Sequence, residues 1–194
     1  MKKKIVKLLS AVLLCVALII PLGLTSLAGS STWDVTVDGV VYYILMNAKY
    51  TDTGIDVTAS ARVKGYDKET VPEDVVIHPM VQSDSVYGML DCPVVGIFQK
   101  AFNGCDEMKT LTIEDNPNLK FIDEFAFCYC KNLTDIKLPD DFKEISYGMF
   151  HGCSSLTTFN FPKSVEKIAT NGLSGCGFES FTLPSQIKVL DKYA

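Results

Sequence analysis

Seven cysteines and two histidines are the residues of this 194-residue chain best suited to chemistry. Cys128-Tyr129-Cys130 lacks the two-residue spacer of a redox pair, and a metal site would need histidines or a second close cysteine pair. His151 and Cys153 suggest a thiol hydrolase, but they stand two apart on a turning segment and nothing in sequence orients the imidazole. His78 precedes Pro79 with no acid or second histidine close by in sequence. Asp34/Asp38 and Asp52/Asp56 are isolated pairs that read as solvated edge and turn residues. Neither a glycine-rich phosphate loop nor an acidic calcium loop is present. The expectation is a non-catalytic chain with no cofactor and no metal. Asn132-Leu133-Thr134 is a glycosylation sequon, which matters only in a eukaryotic host.

Cysteine spacing itself carries more information than cysteine chemistry. Cys105, Cys130, Cys153 and Cys176 follow one another at 25, 23 and 23 residues. Each sits in the same frame: Ile97, Ala101-Phe102, Cys105, Met108, Leu111, Ile113; then Ile122, Ala126-Phe127, Cys130, Leu133, Ile136, Leu138. Ile145, Met149-Phe150, Cys153, Leu156, Phe159, Phe161 and Ile168, Gly172-Leu173, Cys176, Phe181, Leu183 complete four units, and Ile187 to Leu190 begin a fraction of a fifth. A recurrence of this length is the mark of stacked coils, each of which encloses a core only against its neighbours. A cysteine at solenoid spacing packs as a small hydrophobe, so the four ladder cysteines read as buried and mostly reduced. Cys92 and Cys128 are the off-ladder pair for which a disulfide is an open alternative.

Within each unit the alternation Ile136-Lys137-Leu138 predicts a short strand with one buried face, ended by Pro139, which has no N–H to offer. Outward positions on the successive strands are Thr110 and Thr112, Asp135 and Lys137, Thr158 and Asn160, and Ser180 and Thr182. These two polar columns are the candidate protein-binding face. Their bland reading is a soluble strand surface rich in threonine.

Residues 29–93 predict a β-rich cap ahead of the solenoid at 94–194. Asp38-Gly39 between two alternating runs is a hairpin signal. Ile55 to Val63 forms a third strand and Val75 to Ile77 a fourth, which Pro72 and Pro79 keep from a central place. Trp33 reads as packing against the repeats, with a carbohydrate platform as the alternative. At the start, Lys2 to Lys7, the apolar run to Ile20, and Ser26-Leu27-Ala28 have the three-part order of a secretory signal peptide over 1–28. Between Lys7 and Pro21 stand 13 residues, short of the roughly 20 a membrane helix needs. No stable membrane insertion is expected after cleavage. The whole chain carries 18 basic and 23 acidic side chains. Removing 1–28 takes away four lysines and no acid, leaving a net charge of −9. So acidic a chain has no grip on phosphate backbones, and nucleic acid is excluded as a partner.

The repeat resembles the BspA-like leucine-rich repeats, over Ile97 to Leu190, and the Asp38 to Tyr43 hairpin is similar to the region found ahead of such repeats. The resemblance implies a mostly β solenoid with a parallel sheet on its concave side, and secretion or display at the cell surface. It also implies adhesion to an extracellular or host-surface protein. A structural component that self-associates through exposed β-edges is the alternative. The first unit departs from the pattern with Glu114 in place of the strand-ending proline, and the fourth with Gly172-Leu173 for Ala-Phe.

Overall fold

The computed structural model describes residues 28–51, 54–85, 88–180 and 182–194. The signal segment thus lies outside the described residues, apart from Ala28. Twelve strands are described and no helix. β1 (Ala28–Val37) and β2 (Val40–Thr51) form the expected antiparallel hairpin, with Val37 opposite Val40. Asp38 and Gly39 both take positive φ, 46° and 76°, as the tightest right-twisted hairpin turn requires. β3 (Gly54–Tyr66) pairs along the whole of β2.

β4 (Asp74–Ile77) leaves this sheet. It pairs in parallel with β7 (Thr110–Ile113), which pairs with β9 (Asp135–Lys137), giving the order β4-β7-β9. The two prolines do place β4 at an edge. It is nevertheless the first rung of the repeat ladder, which the sequence frame began at Ile97. β5 (Met80–Ser85) and β6 (Gly88–Ile97) form a second hairpin that sequence analysis missed. The inward positions of β5 are Val81 and Ser83, and the serine breaks the apolar alternation. Ser83 is tolerated inside because the Trp33 indole N–H donates to its hydroxyl at 2.8 Å. Trp33 therefore packs within the N-terminal sheet, with β5 as its partner. β6 spans position 93/94 and joins both parts: it pairs with β3 on one side and with β8 (Phe121–Ile122) in parallel on the other. β10 (Glu144–Ile145), β11 (Lys167–Ile168) and β12 (Val189–Leu190) make a separate parallel ladder at the isoleucine positions.

Between the two ladders the chain runs through overlapping i+3 to i turns, such as Cys105 N–H to Phe102 O at 3.1 Å and Cys153 N–H to Phe150 O at 3.2 Å. These turns also bond coil to coil, with Phe102 N–H to Ala126 O at 2.7 Å and Phe127 N–H to Met149 O at 3.0 Å. Phe102, Phe127 and Phe150 are fully buried. Their rings stack at centroid distances of 5.4 and 5.5 Å, and Tyr66 of β3 lies on Phe102 at 5.8 Å. One aromatic column thus passes from the N-terminal sheet into the third coil. Leu173 continues it in the fourth, nearly as buried.

Glu114 also finds its reason here. Its N–H donates to Ile77 O at 3.1 Å, a bond that proline could not make, because this strand end has β4 beside it. Its carboxylate meets His78 Nδ1 at 3.0 Å. The sequence reading left His78 without an acidic partner; the fold supplies one from 36 residues away.

Candidate functional site

The two outward columns begin on β4, one strand earlier than expected, the first with Asp74 and the second with an apolar residue, Val76. Asp74, Thr110 and Asp135 stand in register, as do Val76, Thr112 and Lys137. Alternation sends Leu111, Ile113 and Ile136 into the core and leaves their neighbours outside. The Thr110 hydroxyl donates to Asp74 Oδ1 at 2.8 Å, which ties the first column together. Asp135 and Lys137 are exposed.

Past β9 the expected strands are not found among the described residues. Thr158 and Asn160 are exposed, but 157–161 makes no ladder with Asp135–Lys137, and Ser180 and Thr182 lie in equally irregular segments. This part of the reading is corrected. Where β9 and its continuation bring Ile136 and Leu138 inward, the next coil brings Phe159 and Phe161, whose rings meet edge to face at 4.8 Å. Phe159 also meets Phe150 at 5.7 Å. Two crossed rings fill this level of the coil where branched aliphatics fill the one before, and no strand pairs with β9 on this side among the described residues. The face is therefore a three-stranded platform prolonged by an exposed, unladdered flank.

The ladder cysteines Cys105, Cys130, Cys153 and Cys176 form an inner column, with Cys92 and Cys128 off it. Cys92, Cys105, Cys128, Cys130 and Cys153 are buried, Cys176 is partly so, and all six are free thiols. Cys92 and Cys128 are thus not joined. Cys130 donates to Phe102 O at 3.0 Å, Cys153 to Phe127 O at 3.2 Å and Cys176 to Phe150 O at 3.3 Å. Each thiol thereby satisfies a carbonyl of the coil before it. Burial pushes Cys105 up to about 11 and Cys176 up to about 12. The adjoining Cys153 thiol, and then burial, push Cys130 up as well. At neutral pH such thiols stay protonated and unreactive. The imidazole of His151 faces the Tyr129 hydroxyl at 3.2 Å while the Cys153 thiol faces the backbone, so the two do not form a base and its nucleophile.

A groove of about 580 Å³ opens between residues 119–124 and 139–146. At the equivalent place the neighbouring coils are laced by pairs of bonds: Lys120 N–H to Val95 O with Asp123 N–H to Ile97 O, and Glu166 N–H to Lys143 O with Ala169 N–H to Ile145 O. Among the described residues no such pair links β8 to β10. The groove walls carry lysines, carboxylates, Phe121 and Phe142, and neither histidine nor cysteine.

Parallel short strands on two sides of a coil, turns between them and one stacked apolar core define a leucine-rich repeat protein. The BspA-type leucine-rich repeat model matches residues 90–194 in six copies, more than the four and a fraction counted from the alanine–phenylalanine–cysteine frame. The chain belongs to the BspA-type leucine-rich repeat family. Proteins of this family are typically non-catalytic, and leucine-rich repeats generally mediate contacts between proteins. A leucine-rich repeat protein from Bacteroides ovatus is 27% identical with a TM-score of 0.64, over 82% of this chain and 37% of that one. The T. pallidum leucine-rich repeat protein is 28% identical with a TM-score of 0.56, over 68% of this chain and 56% of that one. A Bacteroides capillosus leucine-rich repeat protein, 23% identical with a TM-score of 0.52 over 82% of this chain and 98% of that one, bears on the fold alone. No curated protein matches the sequence. The chain spans little more than a third of the length of the B. ovatus protein.

Proposed function

We propose that this chain is a non-catalytic protein-binding or adhesion module that acts outside the cell, through the face formed by β4, β7 and β9 and the flank beyond them. The observation that carries this reading is the pair of outward columns on a regular sheet, Asp74-Thr110-Asp135, polar throughout, beside Val76-Thr112-Lys137, polar beyond Val76. The short hydroxyl and carboxylate groups of Asp74, Thr110, Thr112 and Asp135 offer hydrogen bonds at strand spacing with little side-chain entropy to lose. The extracellular part of the proposal rests on the order of residues 2–28. No helix among the described residues is long and apolar enough to cross a membrane.

The test is a binding screen of the chain against extracellular-matrix and host-surface proteins, repeated with Asp135, Lys137, Thr158 and Asn160 changed together to alanine. Binding is expected to fall at least tenfold while the unfolding midpoint stays near that of the parent, since exposed substitutions of this kind rarely move stability by more than about 0.5 kcal/mol each. Binding unchanged in the quadruple variant would refute this face. Exposure of Val189 and Leu190 on β12 favours a second reading, a surface component that associates with its own kind. Concentration-dependent self-association without any heterologous ligand would support it.

A single mass measurement on protein exported by its native host checks the extracellular reading together with the thiol ladder. The mature chain should begin at Gly29. Cys105, Cys130 and Cys153 should resist alkylation until denaturant is added, because all three are buried and the thiols of Cys105 and Cys130 are held protonated. A species that still begins at Met1, or one alkylated throughout under native conditions, contradicts the corresponding half.

A further inference from the structure

One continuous cross-strand row crosses five strands of the N-terminal sheet. Asp34 of β1 stands opposite Tyr43 of β2, Tyr43 opposite Arg62 of β3, Arg62 opposite Gly96 of β6, and Gly96 opposite Phe121 of β8. Residues paired in this way project from the same face. The neighbouring positions Ile44, Ala61 and Ile97 are buried, so the row lies on the sheet's outer surface. Arg62 is the only arginine in the chain. Its guanidinium carbon lies 5.5 Å from the ring centroid of Phe98 and 5.4 Å from that of Phe121. Tyr43 leans on Phe98 at 6.0 Å. Gly96 makes room for this packing: a Cβ there would come within 2.2 Å of the Phe121 ring.

Charge in the row is unbalanced. The carboxylate of Asp34 is taken by Lys64 at 2.7 Å, and among the described residues Arg62 has no carboxylate partner. A guanidinium carries five N–H donors in a planar fork matched to a carboxylate. Aromatic neighbours order that fork beforehand, so less side-chain freedom is lost on docking. Arginine among aromatic rings is also the composition of interface anchors. An aromatic platform alone would suit many occupants; the unmatched cation at its centre selects an anionic one.

We propose that this outer row is a second docking surface, built to receive an acidic side chain on an extended segment of a partner protein. Arg62 takes the carboxylate, and Tyr43, Phe98 and Phe121 cover the apolar residues that flank it. The surface belongs to a different sheet from the face of β4, β7 and β9, so either proposal can fail without the other.

A single arginine makes the test direct, because the Arg62 Nε–H gives an unambiguous signal in nitrogen-15 correlation spectra of the unsubstituted protein. The probes are the peptide acetyl-Val-Glu-Val-Glu-Val-amide, its glutamine counterpart, and acetate. The glutamate peptide should move the Nε–H signal saturably, and the other two at equal concentration should leave it in place. Arg62→Lys, checked for an unchanged unfolding transition, should weaken the peptide about tenfold or more, since it keeps the charge and loses the fork. Phe98→Leu should weaken it severalfold, and the quadruple variant of the strand face should bind as the parent does. An equal response to the glutamine peptide, an equal response to acetate, or an Arg62→Lys affinity within twofold of the parent would each overturn the proposal.

Discussion

Replacing Phe127 by alanine should lower folding stability by about 3–5 kcal/mol. Phe127 is fully buried and sits between two stacked rings, 5.4 Å from Phe102 and 5.5 Å from Phe150. Truncation removes the apolar transfer energy of the ring and leaves a cavity that the column cannot close. Closing it would require the coils above and below to move together, yet their spacing is held by backbone bonds such as Phe127 N–H to Met149 O at 3.0 Å. Both aromatic contacts, each worth about 0.5–1.5 kcal/mol beyond area, are lost at once. Urea titration of the variant, compared at equal slope with the parent, reads the change directly. A loss below about 1 kcal/mol, far under the large-to-small core range, would remove the phenylalanine column from the core. Lys137→Ala, on the exposed outer face of β9, serves as the reference and should stay within about 0.5 kcal/mol.

Gly39→Ala comes next in size, at about 2–5 kcal/mol, and its cost has two separable parts. The first is conformational: at φ 76° an alanine pays the left-handed penalty of about 1–2 kcal/mol. The second is crowding, since the new Cβ would lie 2.3 Å from the Cα of Val71. That neighbour is backbone, pinned where Asp67 N–H meets Gly39 O at 2.8 Å and Val71 N–H meets Asp67 O at 2.8 Å. Relief requires moving the loop, at an overpacking cost of about 1–3 kcal/mol. Gly104→Ala isolates the first part, because Gly104 has φ 70° but open space where its Cβ would go. The difference between the two variants in thermal or urea unfolding measures the crowding. Equal losses would show that the 67–71 loop does not press on the hairpin turn.

The groove between β8 and β10 and the strand face illustrate different kinds of legibility. Alternation in Thr110–Ile113 and Asp135–Lys137 names outward residues from sequence alone, because side chains on a strand alternate whatever lies around them. Whether a given strand finds a partner depends on how its inward side chains pack against those of the next coil. Thr158 and Asn160 therefore carried the right exposure and the wrong ladder. Val75 to Ile77 read as a short cap strand, and nothing local marks it as the first rung beside β7. Arg62 gave no signal in sequence, since the rings that hold it come from positions 98 and 121.

Repetition, the hairpin turn, the burial of the cysteines and the phenylalanine column were determined by the sequence itself. Those features rest on spacing and local backbone preference, which each unit states again. Tertiary structure alone decided where the ladder begins, where it breaks, that Ser83 is held inside by Trp33, and that His78 meets Glu114. It also decided that Tyr66 opens the aromatic column. Each of these joins residues tens of positions apart, and such pairs are selected by packing volume and hydrogen-bond satisfaction after the coils have stacked.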